Sequence, residues 1–370
     1  MSNQIIKVGN RLIGNGYPCF IVAEAGVNHN GSLRLAKRLI DQAKAVGADA
    51  VKFQIFVPDE IATRNAAKGN YQKETTGSDE NQYQMLKRLA LSEKDFAKLK
   101  DYSKKRGIIF FASLHDLASV DIFSKLDLPI IKIASPDLNN GLLLYKITKN
   151  RKLAKKPLFL STGGGTLKDV KKSLEFLRDH GFRGPILVYQ CTSSYPTPTN
   201  EQNLAVIKTF WKQIAPKFGA VIGFSDNGND INVPVDAVIL GAVSVEKHMT
   251  LNKNNVGPDH KASLEDTEFL EMVRKIREVE YSKTRSIKVK DAFGDGIKRI
   301  QPSESNNIDI FRKAVRARID LPKGTLISVK VLNAKRTRGD FNPLEFEKLL
   351  GKKLRQDVRA DQEITPDLVL

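Results

Sequence analysis

The chain has 370 residues, which at about 150 residues per domain indicates two domains or slightly more and excludes a mini-protein held together by disulfides. Hydrophobic residues make up 41% and charged residues 28%, so a disordered chain is excluded, and two cysteines without a CxxC pair support neither a disulfide framework nor a structural zinc site. The formal charge of +18 leaves anionic substrates, nucleic acid and acidic membrane surfaces open as partners.

Between residues 19 and 280, short apolar runs alternate with longer amphipathic stretches, which is the βαβα pattern of a parallel sheet covered by helices. Helix starts are marked at Ser32, Ser92 and Thr166, whose side-chain oxygens can cap free backbone N–H groups. The strand candidates are residues 19–23, 50–53, 108–112, 130–134, 158–161, 186–190, 221–224 and 243–246. Eight such units in roughly 260 residues match a TIM (β/α)8 barrel, although a doubly wound open sheet has the same local pattern.

Two stretches do not fit the repeated β/α pattern. Residues 57–91 are too long and too polar for an ordinary βα loop, and such loops are more often functional or mobile than structural. Toward the C-terminus the pattern changes to a linker-like stretch and then to short strands with turns. We therefore predict a barrel domain over 1–282, a linker over 283–310 and a small β-rich domain over 311–370.

The carboxyl ends of the predicted strands are the places to search for chemistry, because catalytic groups of parallel α/β folds lie there. Lys52 in AVKFQ and Lys132 in IIKIAS have apolar neighbours on both sides, and a lysine buried this way needs an anion. With nearby hydroxyl residues they indicate a phosphate and carboxylate site. Two other interpretations stay open: internal salt bridges, for example of Lys52 with Glu24, and a Schiff-base aldolase with one lysine as nucleophile.

Other candidates follow the remaining strands. His248, at the end of the last strand, is the best candidate for a metal ligand or general acid, and a hydrogen-bonded structural role is the alternative. The glycine turn over 163–165 could cradle a phosphate, although such a turn is more often simply a tight connection. Since no HxH or HExxH pattern occurs, we do not expect a metal bound entirely by histidines.

Several motifs in a fixed order carry a family resemblance. They are AEAGVNHNGS at 23–32, VKFQ at 51–54, KIAS at 132–135, LSTGG at 160–164, QCTSSYPTP at 190–198, IGFSDN at 222–227, VEKHMTL at 245–251 and GPDHKASLE at 257–265. Together they resemble the sialic acid synthase family, which makes nine-carbon ulosonic acids. The segment VLNAKRTRGDF at 331–341 is similar to the family's antifreeze-like (SAF) domain.

The resemblance implies a TIM barrel followed by a SAF domain, in a domain-swapped homodimer. It also implies a reaction in which carbon 3 of phosphoenolpyruvate attacks the open-chain aldehyde of an N-acyl mannosamine-type sugar. Water then adds at carbon 2, and phosphate leaves by C–O cleavage. The implied cofactor is a divalent metal, Mn or Mg.

Residue roles follow from the same resemblance. Glu24 would orient sugar hydroxyls and transfer a proton, and Gln54 would contact the metal or its water. Asp259 would hold the sugar chain, and Arg336 of one protomer would reach over the site of the other. The residues that would hold phosphate and carboxylate oxygens are Lys52, Lys132, Ser113, Ser135, Ser193 and Ser225, with Tyr195 nearby.

The chain departs from the family's motifs at three places. Asn227 stands where the family usually has a second metal-binding histidine, and its carbonyl oxygen can still bind Mn or Mg, with lower affinity. The family's STPF is ASLH over 112–115, and its SGE or SGD is SPD over 135–137, so Asp137 keeps an acid for substrate binding. We expect an active synthase, with an inactive sugar or phosphate binder as the alternative.

The sugar and the other partners are less defined by the sequence. N-acetylmannosamine, its 6-phosphate and 2,4-diacetamido-2,4,6-trideoxymannose stay open as substrates, with N-acetylneuraminate or N,N'-diacetyllegionaminate as products. Without a helix-turn-helix signal, we expect no nucleic-acid partner. Because no apolar run approaches roughly 18 residues and the N-terminus lacks a signal-peptide core, we predict a cytoplasmic protein without a membrane partner.

Overall fold

The computed structural model describes residues 4–77, 79–282, 286–337, 339 and 341–370, without the side chains of 306, 307 and 309–311. The strands are β1 (Ile6–Val8), β2 (Arg11–Ile13), β3 (Phe20–Gly26), β4 (Ala50–Ile55), β5 (Ile109–Leu114), β6 (Ile131–Ile133), β7 (Leu158–Ser161), β8 (Ile186–Cys191), β9 (Ala220–Asp226), β10 (Ser244–His248), β11 (Lys313–Ala317) and β12 (Leu332–Arg336). Strands β3 to β10 close into a parallel barrel in chain order, with β10 pairing β3. The TIM barrel prediction is thereby confirmed, and the open sheet is excluded.

Helices follow the barrel strands, and most of them cover the outside of the barrel. They are α1 (Leu33–Ala45), α2 (Pro58–Ile61), α3 (Asn70–Thr76), α4 (Gln82–Leu89), α5 (Glu93–Arg106), α6 (Leu117–Leu126), α7 (Gly141–Lys149), α8 (Leu167–Asp179), α9 (Val206–Gln213), α10 (Ala215–Phe218), α11 (Asn232–Ile239), α12 (Asp266–Tyr281) and α13 (Pro302–Phe311). Ser32, Ser92 and Thr166 each accept a hydrogen bond from the backbone N–H three residues later, as predicted. In the described ranges, no helix has the length and apolar character needed to cross a membrane.

An aromatic layer fills the barrel interior toward the amino ends of the strands. Phe159 meets Phe20, Phe111 and Tyr189 edge to face, with ring centroids 6.3, 6.0 and 5.9 Å away. The hairpin of β1 and β2 packs against this layer with its buried aliphatic side chains. The interior is therefore closed at this end, and the carboxyl ends of the strands remain for a site.

The segment 57–91, predicted as a long polar loop, folds into the short helices α2, α3 and α4. Its apolar side chains join neighbouring ones in a cluster at the barrel mouth, called here the mouth cluster: Val27, Phe56, Ile61, Ala62, Met85, Leu86 and Leu89. The ammonium group of Lys68 holds the turn after α3 by donating to the carbonyl oxygen of Gly77 at 3.0 Å and to Thr76 Oγ1 at 2.8 Å. The segment thus has a small core of its own.

The C-terminal part of the chain rests on the barrel of the same chain. Helix α13 begins inside the stretch predicted as a linker and ends one residue beyond it, and β11 and β12 follow as an antiparallel hairpin. The Arg318 guanidinium lies 2.7 Å from Glu60 Oε1, and Asn333 Nδ2 donates to Glu60 Oε2 at 2.8 Å. Lys313 Nζ donates to the carbonyl oxygen of His115 at 2.8 Å. These contacts bring the hairpin to the carboxyl end of the barrel.

Candidate active site

The carboxyl ends of the barrel strands surround a cavity. The barrel, the segment 57–91 and the C-terminal hairpin all contribute to its wall. Every site residue predicted from the sequence lines this cavity except Asp137. The predicted residues on the wall are Glu24, Lys52, Gln54, Ser113, Lys132, Ser135, Ser193, Tyr195, Ser225, Asn227, His248, Asp259 and Arg336.

The two predicted lysines share a carboxylate. Lys52 Nζ lies 2.8 Å from Glu24 Oε2 and 3.6 Å from Glu246 Oε1, and Lys132 Nζ lies 3.2 Å from the same Glu246 oxygen. Lys132 also donates to Ser161 Oγ at 2.7 Å. The salt bridge between Lys52 and Glu24 that the sequence left open is therefore present, and it lies beside a cavity with room for an anion.

The two carboxyl groups next to the lysines differ in protonation. Burial raises the pKa of Glu24 to about 7, although Lys52 acts to lower it, so this carboxyl can hold or release a proton near neutral pH. Burial also acts to raise the pKa of Glu246, but Lys132 and Lys52 outweigh it and bring the pKa below its usual value. Glu246 is therefore the ionised partner of the lysines, and Glu24 is the group that titrates.

Protonation of the lysines follows from the same charges. Burial lowers the pKa of Lys132 even though Glu246 acts in the opposite direction. For Lys52, burial also acts to lower the pKa, but Glu24 and Glu246 raise it above its ordinary value. Lys52 is thus the more firmly charged of the two ammonium groups.

Glu24 meets two further polar side chains around Gly26. Gln54 Nε2 donates to Glu24 Oε1 at 3.1 Å. Gly26 has a φ of +52°, and a Cβ there would lie within 3.4 Å of side-chain atoms of Gln54, Glu24 and Asp259. Burial raises the pKa of Asp259 to about 6 against the effect of Lys52. A glycine at this position therefore lets three polar side chains converge at the predicted sugar end.

Ser135 and Ser193 approach each other across Gly163. A Cβ on Gly163 would lie 2.2 Å from Ser193 Oγ and 2.9 Å from Ser135 Oγ, so the approach requires glycine. Within the described ranges, the buried Oγ of Ser193 has no hydrogen-bond partner. Ser225 Oγ donates to Glu246 Oε1 at 3.1 Å. The serine hydroxyls thus extend from the lysine pair toward the glycine turn.

The glycine turn over 163–165 is not a free phosphate cradle. Gly163 N donates to Ser135 Oγ at 2.9 Å, and Gly164 N donates to Glu304 Oε1 at 2.6 Å. The same Glu304 oxygen accepts from Ser193 N at 2.6 Å. Of the two interpretations of this turn, the structure favours the tight connection, because a serine hydroxyl and a carboxylate of α13 accept hydrogen bonds from the N–H groups of Gly163 and Gly164.

The predicted metal ligands offer a small donor set. Nδ1 of His248 is buried and lacks a hydrogen-bond partner within the described residues; burial and Lys52 lower the pKa of this imidazole to about 3, so the ring is neutral. Asn227 Nδ2 donates to the carbonyl oxygen of Thr192 at 2.7 Å, which leaves its own carbonyl oxygen as the ligand atom. Across the described part of the chain, no cluster of three or more His, Cys, Asp or Glu side chains suits a metal. One imidazole nitrogen with amide oxygens fits Mn or Mg better than zinc.

Tyr195 connects His248 with the segment 57–91. Its ring meets His248 edge to face at 5.6 Å and stacks on Tyr71 at 5.3 Å. Burial raises the pKa of both phenols above their ordinary value, so both stay protonated. Tyr195 therefore forms a neutral part of the wall and can donate a hydrogen bond, rather than act as a base.

Sequence reasoning assigned no role to His115 and Glu246, which both line the cavity. His115 lies two residues after Ser113 and contacts its hydroxyl, and Glu246 lies two residues before His248. Because alternate residues of a strand face the same side, spacing from a predicted site residue could have identified both. Asp137 lies behind His115, outside the cavity wall, and contacts its ring instead of the cavity.

Arg336 reaches the cavity from the C-terminal hairpin of the same chain. Its backbone forms a parallel bridge with Ala62 in the segment 57–91. The resemblance implied that this arginine would come from a second protomer. In this structure, Arg336 lies on the cavity wall of its own chain.

The chain is similar to known proteins over nearly its whole length. The signature described as the NeuB family matches residues 39–288. The N,N'-diacetyllegionaminic acid synthase of Campylobacter jejuni is 39% identical over 345 residues, which cover 93% of this chain and 98% of that protein. The N-acetylneuraminate-9-phosphate synthase of Homo sapiens is 33% identical over 362 residues, covering 97% and 95%. The solved structure of spore coat polysaccharide biosynthesis protein spsE from Bacillus subtilis matches with a TM-score of 0.81 and 30% identity, covering 99% of each chain.

Proposed function

Because this chain belongs to the NeuB family, we propose that it condenses phosphoenolpyruvate with the open-chain aldehyde of an N-acyl mannosamine-type sugar to give a nonulosonic acid and phosphate. The observation that carries the proposal is the pair of buried lysines at the closed end of a cavity lined by serine hydroxyls. Ammonium groups in such a dry site favour a small, multiply charged anion. Relatives named as legionaminic and neuraminic acid synthases support this choice.

Phosphoenolpyruvate would bind along the lysines and serines. Lys52 and Lys132 supply the positive charge, and Ser193 supplies a buried hydroxyl that has no hydrogen-bond partner within the described residues. Ser135 and Ser225 lie on the same cavity wall. Charge from the lysines and directed hydroxyl donors together orient a phosphate and a carboxylate.

Proton transfer at the aldehyde falls to Glu24. As carbon 3 bonds to the aldehyde carbon, the electrons of the carbon 2–carbon 3 double bond form the new bond, and the aldehyde oxygen takes a proton. Glu24, with a pKa raised to about 7 by burial, can supply that proton near neutral pH. Water then adds at carbon 2, and its two protons end on Glu24 and on the departing phosphate, so the protons balance.

A divalent cation fits the donor set next to Glu24. His248 would provide an imidazole nitrogen, and Asn227 and Gln54 would provide amide oxygens. When bound there, such a cation supplies polarisation of the aldehyde carbonyl. The residues of the chain orient the sugar around it: Asp259 and Tyr195 line the same end of the cavity.

The mouth cluster supports a sugar with methyl groups. Phe56, Ile61, Met85 and Leu86 present apolar surface to the cavity at the mouth. N-acyl methyl groups and a deoxy carbon gain by contact with such a surface, at about 0.8 kcal/mol per buried CH2. We therefore propose 2,4-diacetamido-2,4,6-trideoxymannose as the preferred substrate, with N,N'-diacetyllegionaminate as product, ahead of N-acetylmannosamine.

The decisive test measures phosphate release from phosphoenolpyruvate with each sugar, with and without Mn or Mg. We expect release that requires both sugar and metal, with a kcat/KM at least about tenfold higher for the diacetamido sugar. The reverse order of the sugars would contradict the proposed preference. No release with any sugar, although phosphoenolpyruvate binds in calorimetry, would favour the inactive binder.

We also propose a homodimer, as the resemblance implies, in a cytoplasmic enzyme. Mixing the Arg336→Ala and Lys132→Met variants tests whether Arg336 acts within its own chain or in a partner. In a domain-swapped dimer, the Lys132→Met chain supplies Arg336 to the intact barrel of the other chain, and activity returns. If Arg336 serves its own barrel, as its position here suggests, the mixture stays inactive.

A further inference from the structure

Ser113, His115 and Asp137 form a buried chain of hydrogen bonds at the carboxyl ends of β5 and β6. Ser113 Oγ lies 2.9 Å from His115 Nε2, and His115 Nδ1 lies 3.0 Å from Asp137 Oδ2. Ser113 and His115 are on the cavity wall, whereas Asp137 is fully buried behind the ring. The arrangement therefore runs from the cavity into the protein.

The charges around Asp137 fix the direction of these bonds. Burial alone would raise the pKa of Asp137, but Lys313, whose Nζ lies 3.5 Å from Oδ1, and the bond from His115 bring the pKa below its usual value. Asn140 Nδ2 also donates to Oδ1, at 2.9 Å. Asp137 is therefore an ionised carboxylate, which can only accept hydrogen bonds.

The state of the imidazole follows from that acceptor. Burial lowers the pKa of His115 to about 4, so the ring is neutral and carries one N–H. That N–H is at Nδ1, because Asp137 accepts there, and Nε2 must therefore accept from the Ser113 hydroxyl. Ser113 then turns its oxygen lone pairs, not its proton, toward the cavity. A hydroxyl in this state suits an incoming donor such as water better than a phosphate oxygen.

We propose that Ser113, His115 and Asp137 form a proton relay for the water that adds to carbon 2. The inference rests on the proposed condensation. As the water oxygen bonds to carbon 2, one water proton passes to Ser113 Oγ, and the Ser113 proton passes to His115 Nε2. When the bond between carbon 2 and the phosphate oxygen breaks, the same path returns a proton to the departing phosphate. The relay ends in its starting state.

The acidities of the groups along this path allow the proposed proton transfers. Water bonded to a cationic carbon is a strong acid, so an imidazole whose pKa burial lowers to about 4 is basic enough to accept its proton. The imidazolium that forms lies against the Asp137 carboxylate, which stabilises it. Lys313 donates to the His115 carbonyl oxygen at 2.8 Å, which holds this end of the chain in place.

Activity measurements separate the relay from a structural hydrogen-bond chain. In His115→Gln, we expect kcat for phosphate release to fall at least about 100-fold, while the Kd for phosphoenolpyruvate changes less than about threefold. In Asp137→Asn, we expect a similar fall in kcat. The asparagine amide can donate to Nδ1, which would move the ring proton of His115 to Nε2. His180→Gln is the matched control, since His180 Nδ1 donates to the Phe176 carbonyl oxygen at 2.7 Å and the ring lies outside the cavity, so this variant should keep the wild-type kcat.

A spectroscopic readout keeps the proposal testable without turnover. Nitrogen-15 spectra of the wild-type imidazoles, assigned by the signal lost in His115→Gln, should show Nδ1 protonated and Nε2 bare at neutral pH, and Asp137→Asn should reverse this. A protonated Nε2 in the wild type overturns the proposal. So does a His115→Gln variant that turns over within about threefold of wild type, or one in which only the KM for phosphoenolpyruvate changes. If the wild type itself releases no phosphate, the proposed function fails, which is a distinct result.

Discussion

Glu246 is the carboxylate on which both cavity lysines depend, and Glu246→Gln removes its charge while keeping its size. Glutamine can still accept a hydrogen bond from Ser225, which donates to Glu246 Oε1 at 3.1 Å. Lys52 keeps Glu24 as a partner, and Lys132 keeps the Ser161 hydroxyl. The variant therefore leaves two buried ammonium groups with less negative charge between them.

The expected loss of unfolding free energy follows from how deeply Lys52, Lys132 and Glu246 are buried. The side chains of Lys52, Lys132 and Glu246 are 3%, 2% and 6% exposed, so solvent screens their interaction little. Removing one partner of a buried ion pair costs about 3 to 5 kcal/mol. Because glutamine keeps the acceptor and the volume, we expect about 3 kcal/mol of lost unfolding free energy. A phosphate ion can replace the lost charge, so we also expect roughly tenfold tighter phosphate binding, equivalent to about 1.4 kcal/mol.

Urea unfolding and calorimetric titration with inorganic phosphate measure the two effects. Glu175→Gln is the matched control, because Glu175 pairs with Lys217 at 2.6 Å while the two side chains are 43% and 54% exposed. The control should lose less than about 1 kcal/mol and bind phosphate as the wild type does. Unchanged stability in Glu246→Gln, together with unchanged or weaker phosphate binding, would refute the reasoning that this carboxylate neutralises the lysines.

Three other expectations address individual residues. Glu24 has a folded pKa of about 7 against an ordinary 4.5, so its contribution to stability is fully present below pH 4.5 and is lost as the pH rises through 7. The urea midpoint of the wild type should therefore decline across this pH range, and that of Glu24→Gln should stay flatter. An equal decline in both proteins would show that another group is responsible. Lys132→Met should lower phosphate release at least about 100-fold with an unchanged circular dichroism spectrum. Lys146→Met should keep the rate, because Lys146 pairs with Asp121 outside the cavity. A Lys132→Met enzyme that keeps its rate would remove this lysine from the mechanism. Asn227→His should lower the Mn concentration for half-maximal activity by roughly tenfold, and an unchanged metal dependence would show that position 227 is not a ligand.

The barrel and much of the cavity could be predicted from the sequence because their signals are local. Apolar runs separated by capped helices determine a parallel barrel, and inward-facing polar residues at the strand ends can be counted from the runs themselves. Lys52 and Lys132 were identifiable because a charge with apolar residues on both sides must be buried. Alternation along a strand does not reveal which carboxylate a lysine meets, so the bridging role of Glu246 was not predictable.

Features that depend on distant contacts could not be predicted. Glu304 accepts a hydrogen bond from Gly164 N, 140 residues away in the sequence, and Lys313 Nζ donates to the His115 carbonyl oxygen, 198 residues away. Helix α13 therefore appeared only as a linker in the sequence, and the carboxylate that binds the glycine turn could not be identified. The hairpin of β1 and β2 consists of strands of three residues each, too short to show a period.

The aromatic layer around Phe159 makes the barrel a dead-end chamber. The rings and the N-terminal hairpin close the amino end, so a molecule that binds Lys132 approaches from the carboxyl ends of the strands, where Arg336 and the mouth cluster also lie. A bulky molecule bound across that end would therefore hinder the entry and the release of a smaller molecule bound at Lys132. A closed amino end thus favours ordered binding, in which the small anion binds first and leaves last.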